Sequence, residues 1–352
     1  TIPAPHAERF RSAEASGRVA AAMAKAKGPK PSEFLTASSF RNAQVVLQAI
    51  GGSTNGLVHL SAIAGRCGQG IELEEFDRIG REVPVLIDLK PTGDHYMEHF
   101  HWAGGMPRLL RELKDKLHLD QMTVAGITLG EAIDKAEDIP KQTIIRSRMD
   151  PLRAEGGMAV LRGNLAPGGA VVKVSAASPA LLEHEGRAVV FEDAADLAER
   201  IDDPALDVRA DDILVLKRIG PKGAPGMPEA GAFPIPLKLA RAGVKDMVRI
   251  SDGRMSGTAF GTIVLHVTPE AAVGGPLAQV RSGDRIRLSA AKRELTLLVS
   301  PEELAAREAA NPVQEPMAER GYRRLFLQSV LQADRGVDFD FLVPAGEKRR
   351  IP

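Results

Sequence analysis

Two hydrophobic patterns divide the chain. In residues 1–150 apolar residues recur every three or four positions, as at Phe40, Ala43, Leu47 and Ile50. Such spacing lines up one apolar stripe along a helix. The first part of the chain is therefore predicted to be α/β or helix-dominated.

Capping and small residues predict where these helices begin and end. The helix that carries the apolar stripe is expected to stop at Gly51, and the next to begin at Ser53 or Thr54, whose hydroxyls can accept hydrogen bonds from helix N–H groups. Thr128 and Glu131 have the spacing of a capping box, which predicts a further helix start.

The second part of the chain has the pattern of short strands. Runs of aliphatic and β-branched residues, separated by Gly, Pro and Asp, start at about residue 155 and predict eight strands. They are MAVL, AVVKV, RAVVF, DILVLK, MVRI, TIVLHV, RIRL and ELTLLV. Helices such as AADLAERI and PLKLARAGV lie between them, and the tail GYRRLFLQSVLQADRGVDFDFLV predicts a final helix followed by a short extended piece. This pattern is typical of a barrel or sandwich with inserted helices.

One more apolar run falls in the first part of the chain. Residues 83–89, VPVLIDL, are continuous and rich in branched side chains, which predicts a strand buried on both faces. We expect the domain boundary in RSRMDPLRAEGG, which divides the chain into residues 1–152 and 153–352.

Charge and composition exclude several classes of function. The 46 basic and 46 acidic residues cancel among 352 residues, so the chain lacks the basic footprint of a nucleic-acid-binding protein. No apolar stretch approaches about 18 residues, and the first ten residues do not resemble a signal peptide. These features predict a cytoplasmic protein that binds neither nucleic acid nor membrane.

A histidine-rich segment offers one enzymatic hypothesis. His95, Glu98 and His99 form the H-x-x-E-H pattern of inverted zinc peptidases. A metallopeptidase is therefore an alternative, although the neighbouring Gly and Pro residues leave little room for the long helix that presents such ligands. The alternative without a metal is a partly solvated helix face.

Two loops after predicted strands offer other chemistry. The first, residues 220–229, combines three Gly and three Pro and ends in Glu229, a carboxylate able to bind a hard cation. The second, residues 251–258, places Ser256 after a strand, where its hydroxyl can serve as a base or nucleophile. Residues 51–55, GGSTN, can bind an anion at a helix start. Each motif alone is equally consistent with an ordinary turn.

Taken together, seven motifs resemble the dihydroxy-acid and phosphogluconate dehydratase family in order and spacing. They are GGSTN, DLKPTG, FHWAGG, RGNLAPGGAVVK, GPKGAPGMPE, SDGRMSGTAFGTIVLH and GGPLAQVRSGDRI, and they extend over essentially the whole chain. FHWAGG, VRISDGRMSGTAFGTIVLH and VLQADRGVDFDFLV are most similar to the arabinonate and xylonate dehydratase branch. Dihydroxy-acid dehydratase of branched-chain amino acid synthesis is the alternative.

The resemblance implies a fold and a reaction. The fold class is α/β, with an incomplete N-terminal α/β domain followed by a β-barrel-like α+β domain of the swivelling type. The reaction is a hydro-lyase step that converts an aldonate such as L-arabinonate or D-xylonate to its 2-keto-3-deoxy acid, using an iron–sulfur cluster and Mg²⁺. The family pattern makes Ser256 the base and Glu229 a magnesium ligand, with Thr258 in support. Ser53, Thr54 and Asn55 are candidate substrate contacts, and a homo-oligomer, dimer or tetramer, is expected.

The chain departs from the family pattern in its cysteines. Such clusters need thiolate ligands, generally three, but Cys67 is the one cysteine in the sequence and does not match a family ligand position. No cluster ligand is therefore expected in this chain, which we interpret as part of a longer enzyme and expect to be inactive alone. A non-catalytic binding module is the alternative.

Overall fold

The computed structural model describes residues 2–136, 139, 141–229, 233–256 and 259–344. The chain divides into two compact units. Unit 1 comprises residues 1–51 and 79–157, and unit 2 comprises residues 52–78 and 158–352.

Unit 1 is built from helices. They are α1 Glu8–Ala26, α2 Pro31–Phe34, α3 Ala37–Ala49, α6 Met97–Trp102, α7 Gly105–Glu112 and α8 Leu129–Asp134, and the unit boundary falls within α5, Leu73–Glu82. Of the predicted α3 stripe, Phe40 and Leu47 are buried, whereas Ala43 and Ile50 are half-buried. The α3 residues in the core of this unit are Val45 and Ala49, so helix periodicity predicts burial here only in part.

The helix boundaries predicted from capping residues are confirmed. Helix α3 ends before Gly51, which has a positive φ of 54°. The α8 capping box forms as expected, because the Thr128 N–H donates to Glu131 Oε2 at 2.8 Å and the Glu131 N–H donates to Thr128 Oγ1 at 3.2 Å.

The strand predicted at residues 83–89 does not form as a regular ladder. The segment is extended and its Val85 and Ile87 are buried, but each pairs at a single position, with Arg153 and Ile145 respectively. Burial was therefore predicted correctly and strand pairing was not. The reason is that a short apolar run reports burial, whereas a ladder needs a partner segment that stays in register.

Unit 2 contains all eight strands predicted from the second part of the chain. They are β1 Ala159–Gly163, β2 Ala166–Val172, β3 Glu183–Phe191, β4 Ile213–Leu216, β5 Arg249–Ser251, β6 Ile263–Thr268, β7 Arg285–Ser289 and β8 Glu294–Leu297. They close into a barrel in the order β1-β2-β6-β5-β4-β3-β7-β8, and a parallel pair between Arg162 and Glu294 joins its ends. The expected fold class, helices followed by a barrel-like domain, is confirmed.

Helices cover parts of this barrel. Unit 2 also contains α4 Thr54–Arg66, α9 Ala194–Arg200, α10 Leu237–Arg241, α11 Pro301–Ala310 and α12 Gly321–Ser329. None of the helices among the described residues has both the length and the apolar character needed to cross a bilayer.

Strands β3 to β6 run parallel, and β4, β5 and β6 are buried on both faces. Along β4, Ile213 and Val215 point into the barrel, whereas Leu214 and Leu216 pack in a second cluster outside it with Phe233. Alternate side chains of a strand face opposite sides, so burial of both faces produces the unbroken apolar run ILVL. A polar group near these strands can therefore be accommodated mainly at their ends.

Candidate active site

Two loops leave the same edge of the barrel. Strands β4 and β5 are parallel neighbours, with Leu216 paired to Ser251, so their carboxyl ends lie side by side. We call residues 217–229 the β4 loop, and residues 252–256 and 259–262 the β5 loop. In parallel sheets, ligand sites form at the carboxyl ends of the strands.

A buried aspartate joins the bases of the two loops. The Asp252 carboxylate accepts hydrogen bonds from the N–H groups of Arg218 at 3.1 Å, Ile219 at 3.0 Å and Ala271 at 2.8 Å. Its side chain is fully buried, and this burial raises the pKa of Asp252 to about 6 although the backbone donors oppose the rise. Asp252 thus holds the start of each loop against the turn after β6.

Close packing explains a glycine in the β5 loop. A Cβ atom on Gly253 would lie 2.4 Å from the Ile219 side chain, nearer than real Cβ contacts come. Glycine is therefore required here for the two loops to approach each other. This is the physical basis of the Ser-Asp-Gly sequence that follows β5.

The tips of the loops are joined as well. The Arg254 guanidinium donates from Nε to the Met227 carbonyl, and the backbones of Arg254 and Glu229 form an isolated parallel bridge. Glu229 lies at the end of the β4 loop with its side chain exposed. The two loops therefore form one surface.

Helix α4 contributes the residue that links this surface together. Asn55 Nδ2 donates to Glu229 Oε1 at 2.9 Å and to the Met255 carbonyl at 3.0 Å. Met255 directly precedes Ser256, whose side chain is exposed. A single amide group thus touches the β4 loop at Glu229 and the β5 loop next to Ser256.

The start of α4 orients this asparagine. Ser53 is the N-cap residue, and its Oγ accepts a hydrogen bond from the Asn55 N–H at 3.2 Å. The predicted start of α4 is thereby confirmed. Asn55 Oδ1 is buried and has no hydrogen-bond partner among the described atoms, so it remains available as an acceptor.

The remaining predicted site residues are distributed differently. Thr54, in the first turn of α4, is only 5% exposed, whereas Glu229 and Ser256 are exposed. Thr258 lies outside the described residues. The structure therefore brings together Asn55, Glu229 and the backbone beside Ser256, and the proposed roles of these residues stay predictions.

An arginine that the sequence did not mark holds the far end of the β5 loop. The buried Arg249 guanidinium donates to the carbonyls of Phe233 at 2.8 Å and Phe260 at 3.0 Å, and to Asp246 at 3.3 Å. Desolvation lowers the pKa of Arg249, and the adjacent Asp246 opposes the decrease. A charged residue inside an apolar strand was the signal that could have marked it as a tether.

His266 on β6 is a second residue that sequence reasoning missed. Its backbone has φ 58°, and its N–H donates to the Gly253 carbonyl at 3.1 Å. The ring is buried, neither nitrogen has a partner, and the ring lines a cavity of about 10 Å³ together with Asp334. Burial, and secondarily the charge of Arg254, lowers the pKa of His266 to about 3, so the ring is neutral at neutral pH.

The residues of the site can hold part of a cation site. Glu229 offers a hard carboxylate oxygen, Oε2, for which the described residues provide no donor, and Mg²⁺ usually takes one or two carboxylates and completes its shell with water. Within the described ranges no group of three His, Cys, Asp or Glu side chains lies close enough to hold a metal ion. Glu229 therefore fits the role of one ligand, and the other described residues do not complete a set there.

An iron–sulfur cluster does not fit the residues present. Cys67 is the one cysteine of the sequence and lies at the C-cap of α4, half-buried, while each cluster type needs several thiolates or a mixture of thiolates and imidazoles. No chemical step is therefore assigned to a cluster on this chain.

The histidine-rich segment lies on a short helix of unit 1. Helix α6 has six residues, and His99 Nδ1 accepts a hydrogen bond from the Tyr96 N–H at 3.0 Å, so this ring nitrogen caps the helix. The rings of His95 and His99 meet edge to face with centroids 5.4 Å apart. The segment thus has a structural role that does not require a metal.

Comparison with known proteins identifies the family. The family model for the dihydroxy-acid/6-phosphogluconate dehydratase N-terminal domain matches residues 1–132, and the C-terminal model matches residues 143–337. Together these two matches extend over most of the chain.

Curated relatives agree with the family models. The chain is 50% identical over 351 residues to an L-arabonate dehydratase of Azospirillum brasilense, covering 97% of this chain and 60% of the relative. It is 47% identical over 321 residues to a 6-deoxy-6-sulfo-D-gluconate dehydratase of Pseudomonas putida, covering 90% and 55%. A dihydroxy-acid dehydratase of Methanosarcina barkeri is 42% identical over 340 residues, covering 96% and 60%.

The chain spans about 60% of the length of the curated relatives that it matches. Its identity is greater to the two relatives named as sugar-acid dehydratases than to the dihydroxy-acid dehydratase, which supports the sugar-acid branch. The chain therefore belongs to the dihydroxy-acid/6-phosphogluconate dehydratase family.

Proposed function

We propose that this chain carries the proton-abstracting side of a dehydratase that converts a sugar acid to its 2-keto-3-deoxy acid. The observation that carries the proposal is the Asn55 amide, which hydrogen-bonds both the Glu229 carboxylate and the carbonyl next to Ser256. A carboxylate for a cation and a hydroxyl for a proton are thereby held on one surface. Both side chains are exposed, as a substrate requires.

The proposed reaction removes one water from a 2,3-dihydroxy acid. The C2–H bond breaks, its proton moves to a base, and its electron pair forms the C2–C3 double bond while hydroxide leaves C3. Hydroxide and the proton held by the base give water, and the resulting enol becomes the 2-keto-3-deoxy acid when its C2 hydroxyl loses a proton and C3 takes one up. The difficult step is removal of the C2 proton, since negative charge develops beside an existing carboxylate.

Ser256 is the proposed base. Its hydroxyl must lose its own proton before it can accept that of C2, and a nearby positive charge favours the alkoxide. A divalent cation bound through Glu229 would supply that charge and would also stabilise the developing negative charge on the carboxylate and C2 oxygen of the substrate. Asn55 orients the Glu229 carboxylate and fixes the backbone before Ser256.

Three other predicted residues complete the proposal. Ser53 orients Asn55 through the helix cap, and Thr54 beside it in the sequence is buried. Thr258 is proposed to contact the substrate or to support Ser256. The acceptor Asn55 Oδ1 is suited to a substrate hydroxyl, because a buried amide oxygen without a donor is unfavourable.

Kinetics of the protein as isolated from its source test the assignment of the base. Ser256→Ala should lower kcat by about 100- to 10,000-fold, the usual range for a general base, while KM changes little. Glu229→Gln should weaken both the cation dependence and the rate, because the amide retains the size but loses the charge. Keto-acid formation from an aldonate is the measurement.

Matched controls separate these effects from general damage. Ser12→Ala on exposed α1 and Glu308→Gln on exposed α11 make the same chemical changes at sites without a proposed role. An unchanged kcat in Ser256→Ala would remove Ser256 from the base role. Sugar-acid binding without turnover in the unmodified protein would instead support a binding module.

A substrate panel tests the sugar-acid assignment. L-arabinonate, D-xylonate and D-gluconate are compared with 2,3-dihydroxyisovalerate at equal concentration. We expect kcat/KM to favour an aldonate. A preference for 2,3-dihydroxyisovalerate would support the alternative, a dihydroxy-acid dehydratase of branched-chain amino acid synthesis.

A further inference from the structure

Unit 2 has a large polar groove beside the base of the β4 loop, which contributes Lys217, Arg218 and Gly223 to its wall. It encloses about 900 Å³ and lies where β3 and β4 end, between the segment 276–282 and the residues after α11. Asn55, Glu229 and Ser256 do not line it. We call it the cationic groove, after the side chains of Arg200, Lys217, Arg218 and Arg281 in its wall.

One wall of the cationic groove is rigidly built. Lys217 is 3% exposed, and its ammonium donates to Glu192 Oε1 at 2.9 Å and to the Ala278 carbonyl at 3.1 Å. Arg200 donates to Asp196 at 3.0 Å and to the Val190 carbonyl. These two cations are thus held in place by the protein.

The other two cations are not neutralised in this way. Arg218 is exposed, and its guanidinium makes no hydrogen bond or ion pair with the described residues. The Arg281 guanidinium forms an ion pair with Glu303 Oε1 at 3.8 Å, which is too long for a hydrogen bond, and the Arg281 backbone N–H donates to Asp284 Oδ2 at 2.8 Å. Two guanidinium groups therefore have donors available to a ligand.

The lining carries a net positive charge. It contains four cations and one carboxylate, Glu192, which is paired with Lys217. Outside the lining, Asp196 and Glu303 pair with Arg200 and Arg281, so Arg218 is the cation without a carboxylate partner among the described residues. The exposed amides of Asn311 and Gln314 add neutral donors and acceptors at the rim. A groove of this volume is within the range of small-molecule sites, and its lining favours a hydroxylated anion over an apolar ligand.

We propose that the cationic groove binds a small hydroxylated dianion, with Arg218 and Arg281 on its charged groups. Guanidinium groups pair in a bidentate manner with both carboxylates and phosphates, so the ligand is either a phosphate ester or a hydroxy-dicarboxylate. The amides at the rim meet its hydroxyl groups. The site is separate from the dehydratase chemistry and does not depend on it.

Calorimetric titration of the full chain tests this proposal. Glycerol 3-phosphate, L-malate and neutral glycerol are the probes, each at low and at high salt. We expect at least one dianion to bind, more weakly as salt increases, and glycerol not to bind. Binding of the phosphate alone assigns the site to phosphate esters, and binding of malate alone assigns it to dicarboxylates.

Variants locate the site. Arg218→Gln and Arg281→Gln should each weaken the affinity by about tenfold or more, since each removes a charge-assisted contact. Arg241→Gln on exposed α10 is the matched control and should leave the affinity unchanged. Circular dichroism checks that each variant is folded. If Arg218→Gln does not fold, Arg281→Gln alone tests the location of the site.

Three results would overturn the proposal. The first is that neither dianion binds at millimolar concentration. The second is that a folded Arg281→Gln variant binds the dianion as tightly as the unmodified chain. The third is that Arg241→Gln weakens the affinity as much as the two groove variants do. Loss of turnover in Ser256→Ala with unchanged dianion affinity would leave it intact. The two proposals can therefore fail separately.

Discussion

Replacement of His266 should change how the stability of the barrel depends on pH. The ring is buried without a hydrogen-bond partner, and its pKa is lowered from 6.5 to about 3. Between these two values the unfolded chain binds a proton at His266 and the folded chain does not. Stability must therefore decrease as pH falls through this window.

The size of the effect follows from the two pKa values. Lowering the pH from 7.5 to 5.0 should cost the wild-type fold about 2 kcal/mol through this one group. His266→Gln and His266→Asn carry no titrating ring and should lack this loss. Asn has the added advantage that it tolerates the positive φ of this position.

Native-state hydrogen exchange of the β6 amides is the measurement, because it reports the opening of the barrel itself. The free energy of opening is compared at the two pH values for the wild type and each variant. Asp334, whose pKa is raised by burial, lines the same cavity, and Arg254 is the neighbouring charge. Their own contributions largely cancel in the comparison between wild type and variant.

The reasoning is refuted if the variants lose as much stability as the wild type between pH 7.5 and 5.0. That result would mean that His266 accepts a proton in the folded state. A variant that is less stable than the wild type by the same amount at both pH values would not refute the reasoning. Such a loss would come from the smaller side chain, which leaves part of the space around the ring unfilled.

The other predictions concern the two loops. The pKa of Asp252 is about 6 in the folded chain and 3.8 in the unfolded chain, so the free energy of unfolding of the wild type should decrease by about 3 kcal/mol as pH rises from 3 to 8. This dependence has the opposite sign to that of His266. Urea unfolding of Asp252→Asn should show that it is lost. Gly253→Ala should destabilise the fold by about 1–3 kcal/mol in the same assay, because its Cβ meets Ile219. Asn55→Ala should lower kcat/KM about tenfold or more through loss of its bond to a charged group, whereas Gln328→Ala, which removes an exposed amide on α12, should not.

Much of the secondary structure was predictable because it depends on local patterns. The eight strands of the barrel coincide with short runs of branched residues, and the starts of α4 and α8 coincide with Ser53 and Thr128. Residues 83–89 show the limit of such patterns. Their burial is local information, but a ladder requires a partner in register, which the segment itself does not specify.

The candidate site was only partly predictable. Ser256 and Glu229 were identified as members of motifs, but their common position depends on Asn55, which lies 174 residues before Glu229. Asp252 and His266 were not assigned a role. Their importance comes from burial and from missing or converging hydrogen bonds, which are properties of packing.

The sequence by itself determined the elements: helices, eight short strands, their caps, and the motifs that identify the family. Hydrophobic periodicity and hydrogen-bonding side chains act over a few residues, so they can be recognised along the chain. Only the tertiary structure decided the strand order of the barrel, the bridge from Asn55 to Glu229 and Met255, and the four cations that share one groove. These depend on contacts between distant segments of unit 2, and closure of its barrel is what brings such segments together.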